Sequence, residues 1–292
     1  MPSPFIYNAK IWNANLWGGG QYSVPQYSTD TLAFYDSTGA YFSLSDNSAM
    51  ILTDLRINGP TREIIGGNVP RDHGQYVNAD YFRETVIEAE GIAKKSTAAT
   101  LDAFLDTIKK NLRHREGFLD VIDTNSTVKR FVATMDSFDA LFPRERYHIT
   151  KCPWKARFRC KTPFGRSRDY NDEMSTLTSS PTNITIDHAG TIRALPVIIM
   201  IFDSASSVTV VNVKRVNAAG TTLEEVEYSG SISAADVLRF DSEEKTVTKN
   251  GTAVDYTGSF LTAEPGSNIF KFTITGSSFS APTTVKWKTT YL

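Results

Sequence analysis

The sequence predicts a mainly β protein built from two domains. Three observations carry this reading. At 292 residues the chain is longer than one compact domain usually is. Gly, Ser, Thr and aromatic residues are plentiful, which suits many short strands joined by turns. From Asn183 onward, short apolar and β-branched runs recur at regular spacing between turn signals, the pattern of a β-sandwich. The expected divisions are an N-terminal domain over 1–165, a polar linker over 166–182 and a sandwich over 183–292.

The N-terminal part is taken first. Phe5-Ile6-Tyr7, Ile11-Trp12 and Leu32 to Tyr35 read as short strands, and Trp17-Gly18-Gly19-Gly20 as a loop. Neither a lysine nor a helix start follows the glycines as a phosphate-cradling loop requires, which counts heavily against that reading. Asp36-Ser37-Thr38-Gly39 predicts a hairpin turn into Tyr41-Phe42. Leu55-Arg56-Ile57 begins a strand that stops at Asn58-Gly59-Pro60. A glycine pair, Gly66-Gly67, leads to a loop through Val69-Pro70-Arg71-Asp72-His73-Gly74, and Tyr81 to Ile92 reads as a strand. A helix follows, capped by Ser96 or Thr97, because a side-chain oxygen there accepts from a free backbone N–H. Leu101, Phe104, Leu105, Ile108 and Leu112 share one stripe of it. Arg113, His114 and Arg115 suit its C-terminal end, and Gly117 its termination. Phe118 to Ile122 and Thr127 to Met135 are expected as strands joined by a turn at Asp123 to Ser126.

Arg144 to Arg168 carries nine Lys or Arg against one Glu. Within it, Trp154, Ala156, Phe158 and Cys160 fall on one face of an alternating strand. Lys155, Arg157, Arg159 and Lys161 fall on the other. That basic face has three readings: a solvated outer face, a subunit interface, or a nucleic-acid or phosphate contact. Four like charges in line repel, so covering them requires opposite charges from elsewhere. Glu224, Glu225, Glu227, Glu243 and Glu244 are the candidates for that role.

In the C-terminal part, strands are expected at Ile184 to Ile186, Leu195 to Phe202, Ser207 to Val216, Thr222 to Tyr228 and Ala235 to Asp241. Others are expected at Thr246 to Thr248, Phe270 to Thr275 and Thr284 to Tyr291. Asn217 to Gly220, Asn250-Gly251 and Pro265 to Asn268 mark turns.

Chemistry is sparse. The net charge of -1 and a pI near 6.4 argue against a generic nucleic-acid binder. No apolar run reaches the ~20 residues that span a bilayer, and the N-terminus shows no signal-peptide pattern. Cys152 and Cys160, with seven residues between them, lack zinc spacing and read as ordinary thiols. His73, His114, His148 and His188 have no partner at metal or triad spacing. Asp241, Glu243 and Glu244 read as a strand-end turn rather than a calcium loop. Neither a catalytic group, nor a metal, nor a cofactor is expected.

Two stretches resemble the distal tail proteins of siphophages. In the first half these are Gly66-Gly67, Pro70-Arg71-Asp72-His73-Gly74, Gly91-Ile92 and the helix from Ser96. In the second they are His188-Ala189-Gly190-Thr191-Ile192-Arg193-Ala194-Leu195-Pro196, Asp241 to Gly251, and Glu264-Pro265-Gly266-Ser267-Asn268-Ile269. The family has Asn more often where His188 stands. The resemblance implies an N-terminal ring-forming domain, a galectin-like C-terminal domain and a structural, non-enzymatic role. It implies a homohexameric ring at the tail tip that joins the tail tube to the tip or baseplate and leaves a channel for DNA. Its implied partners are the tail tube protein, the tail hub or tail-associated lysin, the tape measure protein, and receptor-binding proteins or side fibres. Its implied location is the virion tail tip, after assembly in the host cytoplasm.

A closed ring needs two different patches meeting head to tail. The expected patches are the Gly66, Gly67, Asn68, Arg71, Asp72, Tyr76 loop and the Lys155, Arg157, Arg159, Lys161 face. Two alternatives stand beside this reading. One is a tail-tube subunit, against which the second domain counts. The other is a carbohydrate-binding module, for which His188, Asn212, Arg215 and Trp287 are the residue types a galectin-type site would use.

Overall fold

The structure, a computed structural model, describes residues 32–36, 41–46, 48–60, 62–68, 75–112, 116–123, 125–140 and 150–292. The expected strands at Phe5 to Tyr7 and Ile11-Trp12, the Trp17 to Gly20 loop and the basic helix end at 113–115 lie outside these residues. The chain divides into two units, one ending at Gly165 and one spanning Arg166–Tyr291.

The first unit contains β1 (Leu32–Asp36), β2 (Tyr41–Ser43), β3 (Met50–Asn58), β4 (Arg62–Asn68), β5 (Gln75–Phe82) and β6 (Thr85–Lys94). Helix α1 (Ala98–Leu112), β7 (Glu116–Ile122), β8 (Val128–Ala140) and β9 (Lys151–Cys160) follow, and β10 (Gly165–Arg166) falls on the division between the units. The main sheet is antiparallel, in the order β2-β1-β7-β8-β9-β6-β3. It is curled. Phe34 of β1 stacks on Phe158 of β9 at 6.0 Å although β7 and β8 lie between them. In a flat sheet those strands would stand ~14 Å apart.

Helix α1 starts as its sequence dictates. The Thr100 N–H donates to Thr97 Oγ1 at 3.2 Å, and the Thr97 N–H donates back to Thr100 Oγ1 at 3.1 Å. Leu101, Leu105, Ile108 and Leu112 are buried against the sheet, at roughly 1.5–3 kcal/mol each. Phe104 is half-buried, with the Lys95 ammonium 4.0 Å from its ring. The opposite flank of the same core is lined by Trp154, Ala156, Phe158 and Cys160 of β9, all buried as the alternation requires.

Gly66 and Gly67 are not in a loop but in β4, beside a bulge between Ile65 and Gly66. The stretch Tyr81 to Ile92 is not one strand either: β5 ends at Phe82 and β6 begins at Thr85. Together β4 and β5 form a two-stranded hairpin that joins no other strand among the described residues.

The second unit contains β11 (Asn171–Leu177), β12 (Thr182–His188), β13 (Val197–Ile201), β14 (Ser204–Ser206) and β15 (Val208–Val216). It continues with β16 (Thr222–Ile232), β17 (Val237–Asp241), β18 (Thr246–Lys249), β19 (Thr252–Ala253) and β20 (Thr257–Gly258). The last strands are β21 (Gly266–Thr275), β22 (Ser278–Trp287) and β23 (Thr290–Tyr291). One sheet runs β11-β22-β13-β17-β18-β19, with β14 also on β22; the other runs β12-β21-β15-β16-β20. Their inner faces share one core that includes Ile198, Phe202, Val213, Phe240, Phe270 and Val285. The stretch 166–182, expected as a linker, holds β11, an edge strand of this sandwich. Thr284 to Tyr291 is interrupted after Trp287 rather than continuous.

Turn chemistry fixes the register. Asn250 and Gly251 have φ of 51° and 79° between paired Lys249 and Thr252, the geometry of a two-residue hairpin turn. Asn217 closes the β15–β16 turn: its carbonyl accepts from Gly220 N–H and its side-chain oxygen from Thr221 N–H.

Candidate functional site

The basic row of β9 is the strongest charge feature of the described chain, and its surroundings decide its meaning. Lys155, Arg157 and Arg159 point away from α1 because their neighbours Trp154, Ala156, Phe158 and Cys160 occupy the core; Lys161 follows directly. β9 lies between β6 and β8. In register, Glu90 faces Lys155 and Glu88 faces Arg157 across β6, while Asp139 faces Lys155 across β8.

Each cation has a carboxylate. Lys155 Nζ donates to Glu90 Oε1 at 2.9 Å. That hydrogen bond, with Glu90's charge, holds the Lys155 ammonium above the usual lysine range. Arg157 lies 3.9 Å from Glu88 and 3.8 Å from Asp136. Arg159 lies 3.4 Å from both Glu84 and Asp136. Lys161 reaches Glu116 at 2.6 Å. The acids that face the basic row are therefore its own sheet neighbours, not those expected from the C-terminal half. Four of those five have partners of their own. Glu224 pairs with Arg215 at 2.9 Å, Glu225 with Lys214 at 3.1 Å, and Glu243 with Arg166. Glu227 accepts from Asn212 at 2.8 Å.

The sequence held a signal for these partners. Glu88 and Glu90 alternate with Ile87, Ala89 and Gly91 on β6, as the cations alternate on β9. Pairing β6 with β9 was the missing step, because 65 residues separate Glu90 from Lys155.

Farther along the same face, Arg130 clamps Asp120 with bonds of 2.6 and 2.7 Å, its guanidinium over Phe118 and Tyr35 at 5.0 and 5.2 Å. Asp120 is buried. The register pair Asp120 and Arg130 across β7 and β8 explains this ion pair.

The second expected patch is only partly described. Gly66, Gly67 and Asn68 pair with Val77, Tyr76 and Gln75 near the tip of the β4–β5 hairpin. Arg71 and Asp72 lie outside the described residues.

The galectin-type residues do not gather. Asn212 and Arg215 are on β15, His188 ends β12 with β21 between, and Trp287 belongs to the other sheet. His188 is fully buried, and its Nε2–H donates to the Ile192 carbonyl at 2.7 Å. Asn212 is buried beneath Glu225 and Glu227, to which its amide donates at 2.5 and 2.8 Å. His73, His114 and His148 lie outside the described residues.

Both cysteines are buried and free; burial pushes the Cys160 thiol up to about 12. Asp241 Oδ1 accepts from the Glu243 and Glu244 N–H groups at 3.0 Å each, the strand-end turn expected. Among the described residues no cluster of His, Cys, Asp and Glu could hold a metal ion, and no helix is long and apolar enough to cross a membrane.

Residues 189–291 match the family described as siphovirus-type tail component, C-terminal domain. No curated protein matches the chain. Among solved structures, the crystal structure of the Dit protein (gp 19.1) of phage SPP1 shares the fold with a TM-score of 0.65 at 12% identity, covering 89% of this chain and 99% of that one. A phage p2 baseplate structure in its activated conformation with calcium covers 87% and 96% at 8% identity, with a TM-score of 0.42. The two-unit β fold is thus one that a phage tail protein shares, and the family match covers the second unit. More particularly, residues 189–291 match the siphovirus-type tail component domain, and the resemblance read in the sequence to siphophage distal tail proteins is borne out.

Proposed function

We propose that the protein is a structural hub of a siphophage tail tip. In this reading it forms a homohexameric ring that joins the tail tube to the tip or baseplate and leaves a channel for DNA. The observation that carries it is the fold likeness across nearly the whole of both chains to SPP1 Dit, which is described as a paradigm of the hub adsorption apparatus in phages infecting Gram-positive bacteria. The family match over 189–291 supports it independently. The work of such a protein is assembly and gating of a conduit, so no catalysis is assigned. The tail tube protein and the hub or tail-associated lysin are the proposed axial neighbours, with the tape measure protein inside and receptor-binding proteins or fibres outside. The place of action is the virion tail tip, after assembly in the host cytoplasm.

For the ring contact, the hairpin is favoured over the basic row. The cations of β9 are already paired within their own sheet. The hairpin, by contrast, stands as two strands alone among the described residues, and such a hairpin is marginal in water without a surface to pack on. Light scattering with negative-stain imaging tests the ring: hexamers with a central hole are expected. A monomer at every concentration, in the presence of the tail tube protein as template, would refute it.

A further inference from the structure

We infer that the acidic rows beside β9 are fixed counter-ions that keep its basic row from binding nucleic acid. This claim concerns the sheet face alone; its value to a DNA conduit rests on the ring reading.

The basic row has the makings of a polyanion site. Alternate residues of a strand are ~6.7 Å apart, so Lys155 to Lys161 present four cations over roughly 20 Å on one face. Their side chains are 42, 46, 52 and 69% exposed, open to a partner. An unopposed row of this kind would neutralise phosphates and gain from counter-ion release. Here the four cations are set against five carboxylates: Glu84, Glu88 and Glu90 on one side, Asp136 and Glu116 on the other. A phosphate approaching Arg157 meets Glu88 and Asp136, 3.9 and 3.8 Å from the guanidinium, as like charges that repel it. The gain is cancelled at each position. Stability alone explains such a ladder poorly, because half-exposed ion pairs contribute little. Nor is the pattern a random scatter of surface charge: Glu88 and Glu90 alternate along β6 opposite Arg157 and Lys155, and Asp136 on β8 lies between Arg157 and Arg159.

The test is fluorescence anisotropy of a labelled DNA duplex with the full chain and two variants. The first combines Glu84→Gln, Glu88→Gln, Glu90→Gln and Asp136→Asn, leaving Glu116 as the one carboxylate of the ladder. The second adds Arg157→Gln and Arg159→Gln to these. Wild type is expected not to bind at ~0.1 M salt, and the first variant to bind at least about tenfold more tightly, with a slope of log K against log salt near −3. The second variant is expected to lose most of that gain. Equal affinity in wild type and the first variant overturns the inference, as does a gain that survives loss of both arginines. If circular dichroism shows the first variant unfolded, Glu88→Gln with Asp136→Asn serves instead. It frees Arg157 alone, and its slope is expected near −1; no change from wild type then overturns the inference.

Discussion

At the scale of single residues, the strongest electrostatic contribution with a resolved sign lies at a turn rather than in the ladder. Asp236 accepts from the Ser233 N–H at 2.7 Å, meets Lys249 at 2.9 Å and accepts from Asn250 at 2.7 Å. These bonds, the backbone one foremost, pull its carboxyl down to about 2 from an ordinary 3.8. The folded pKa is depressed, so the unfolded chain takes up a proton first as pH falls. The stabilisation is fully present above the unfolded value and is lost as pH falls through about 2. Asp236→Asn is therefore expected to lower stability by about 1–2 kcal/mol at neutral pH. Urea melts at pH 7 and at pH 2 check this. The gap between wild type and variant should close in acid; a constant gap would mean that shape, not charge, fixes the turn. The Ser233 bond is local to Ser233-Ala234-Ala235-Asp236, but the contacts of Lys249 and Asn250 were not legible there, because those residues arrive from the next strand.

At the scale of elements, local chemistry was readable and long-range pairing was not. The Thr97 cap, the Asn217 turn and the Asn250-Gly251 turn follow from residue type and spacing, and each is found where its residues predict. The strand of Trp154 to Cys160 follows from its alternation. The partners of Arg157, the place of β11 and the depth of His188 do not, since each is decided by a strand distant in sequence. Two glycines show the same division. Gly251 sits at φ 79° with open space around it, so Gly251→Ala meets only backbone strain, about 1 kcal/mol. Gly91 has no such φ. A Cβ there would lie 2.2 Å from the Ile51 carbonyl oxygen and 2.6 Å from the Trp154 ring, because β6 is flanked by β3 and β9 and Trp154 lies across it. Gly91→Ala is expected to cost ~3 kcal/mol or more. Denaturant melts of the two variants should rank Gly91 well above Gly251; the reverse order would mean that the Trp154 ring moves aside freely.

At the scale of the whole molecule, the question is whether each unit can fold on its own contacts. The sandwich of Arg166–Tyr291 has both sheets and a continuous core of its own, and a domain of its length buries enough apolar surface for independent stability. Its final residues are held from within: Thr191 N–H donates to the Thr290 carbonyl at 3.0 Å and Ser167 N–H to the Thr289 carbonyl at 2.7 Å. Those bonds use residues from both ends of the unit. A fragment cut at Asn183, where the regular strand pattern begins, would lack β11 and Ser167. It would leave the β22 edge, Ala281 to Trp287, without its partner. A fragment of residues 166–291 is therefore expected to unfold cooperatively, as a monomer, whereas 183–291 is expected to be at least several degrees less stable or to aggregate through the bared edge. Calorimetry with sedimentation on both fragments decides it. Equal melting temperatures would show that β11 is dispensable and that the boundary belongs at Asn183 after all. A stable monomeric 166–291 fragment would also assign any ring made by the full chain to residues 1–165, which is where the hairpin and the charge ladder lie.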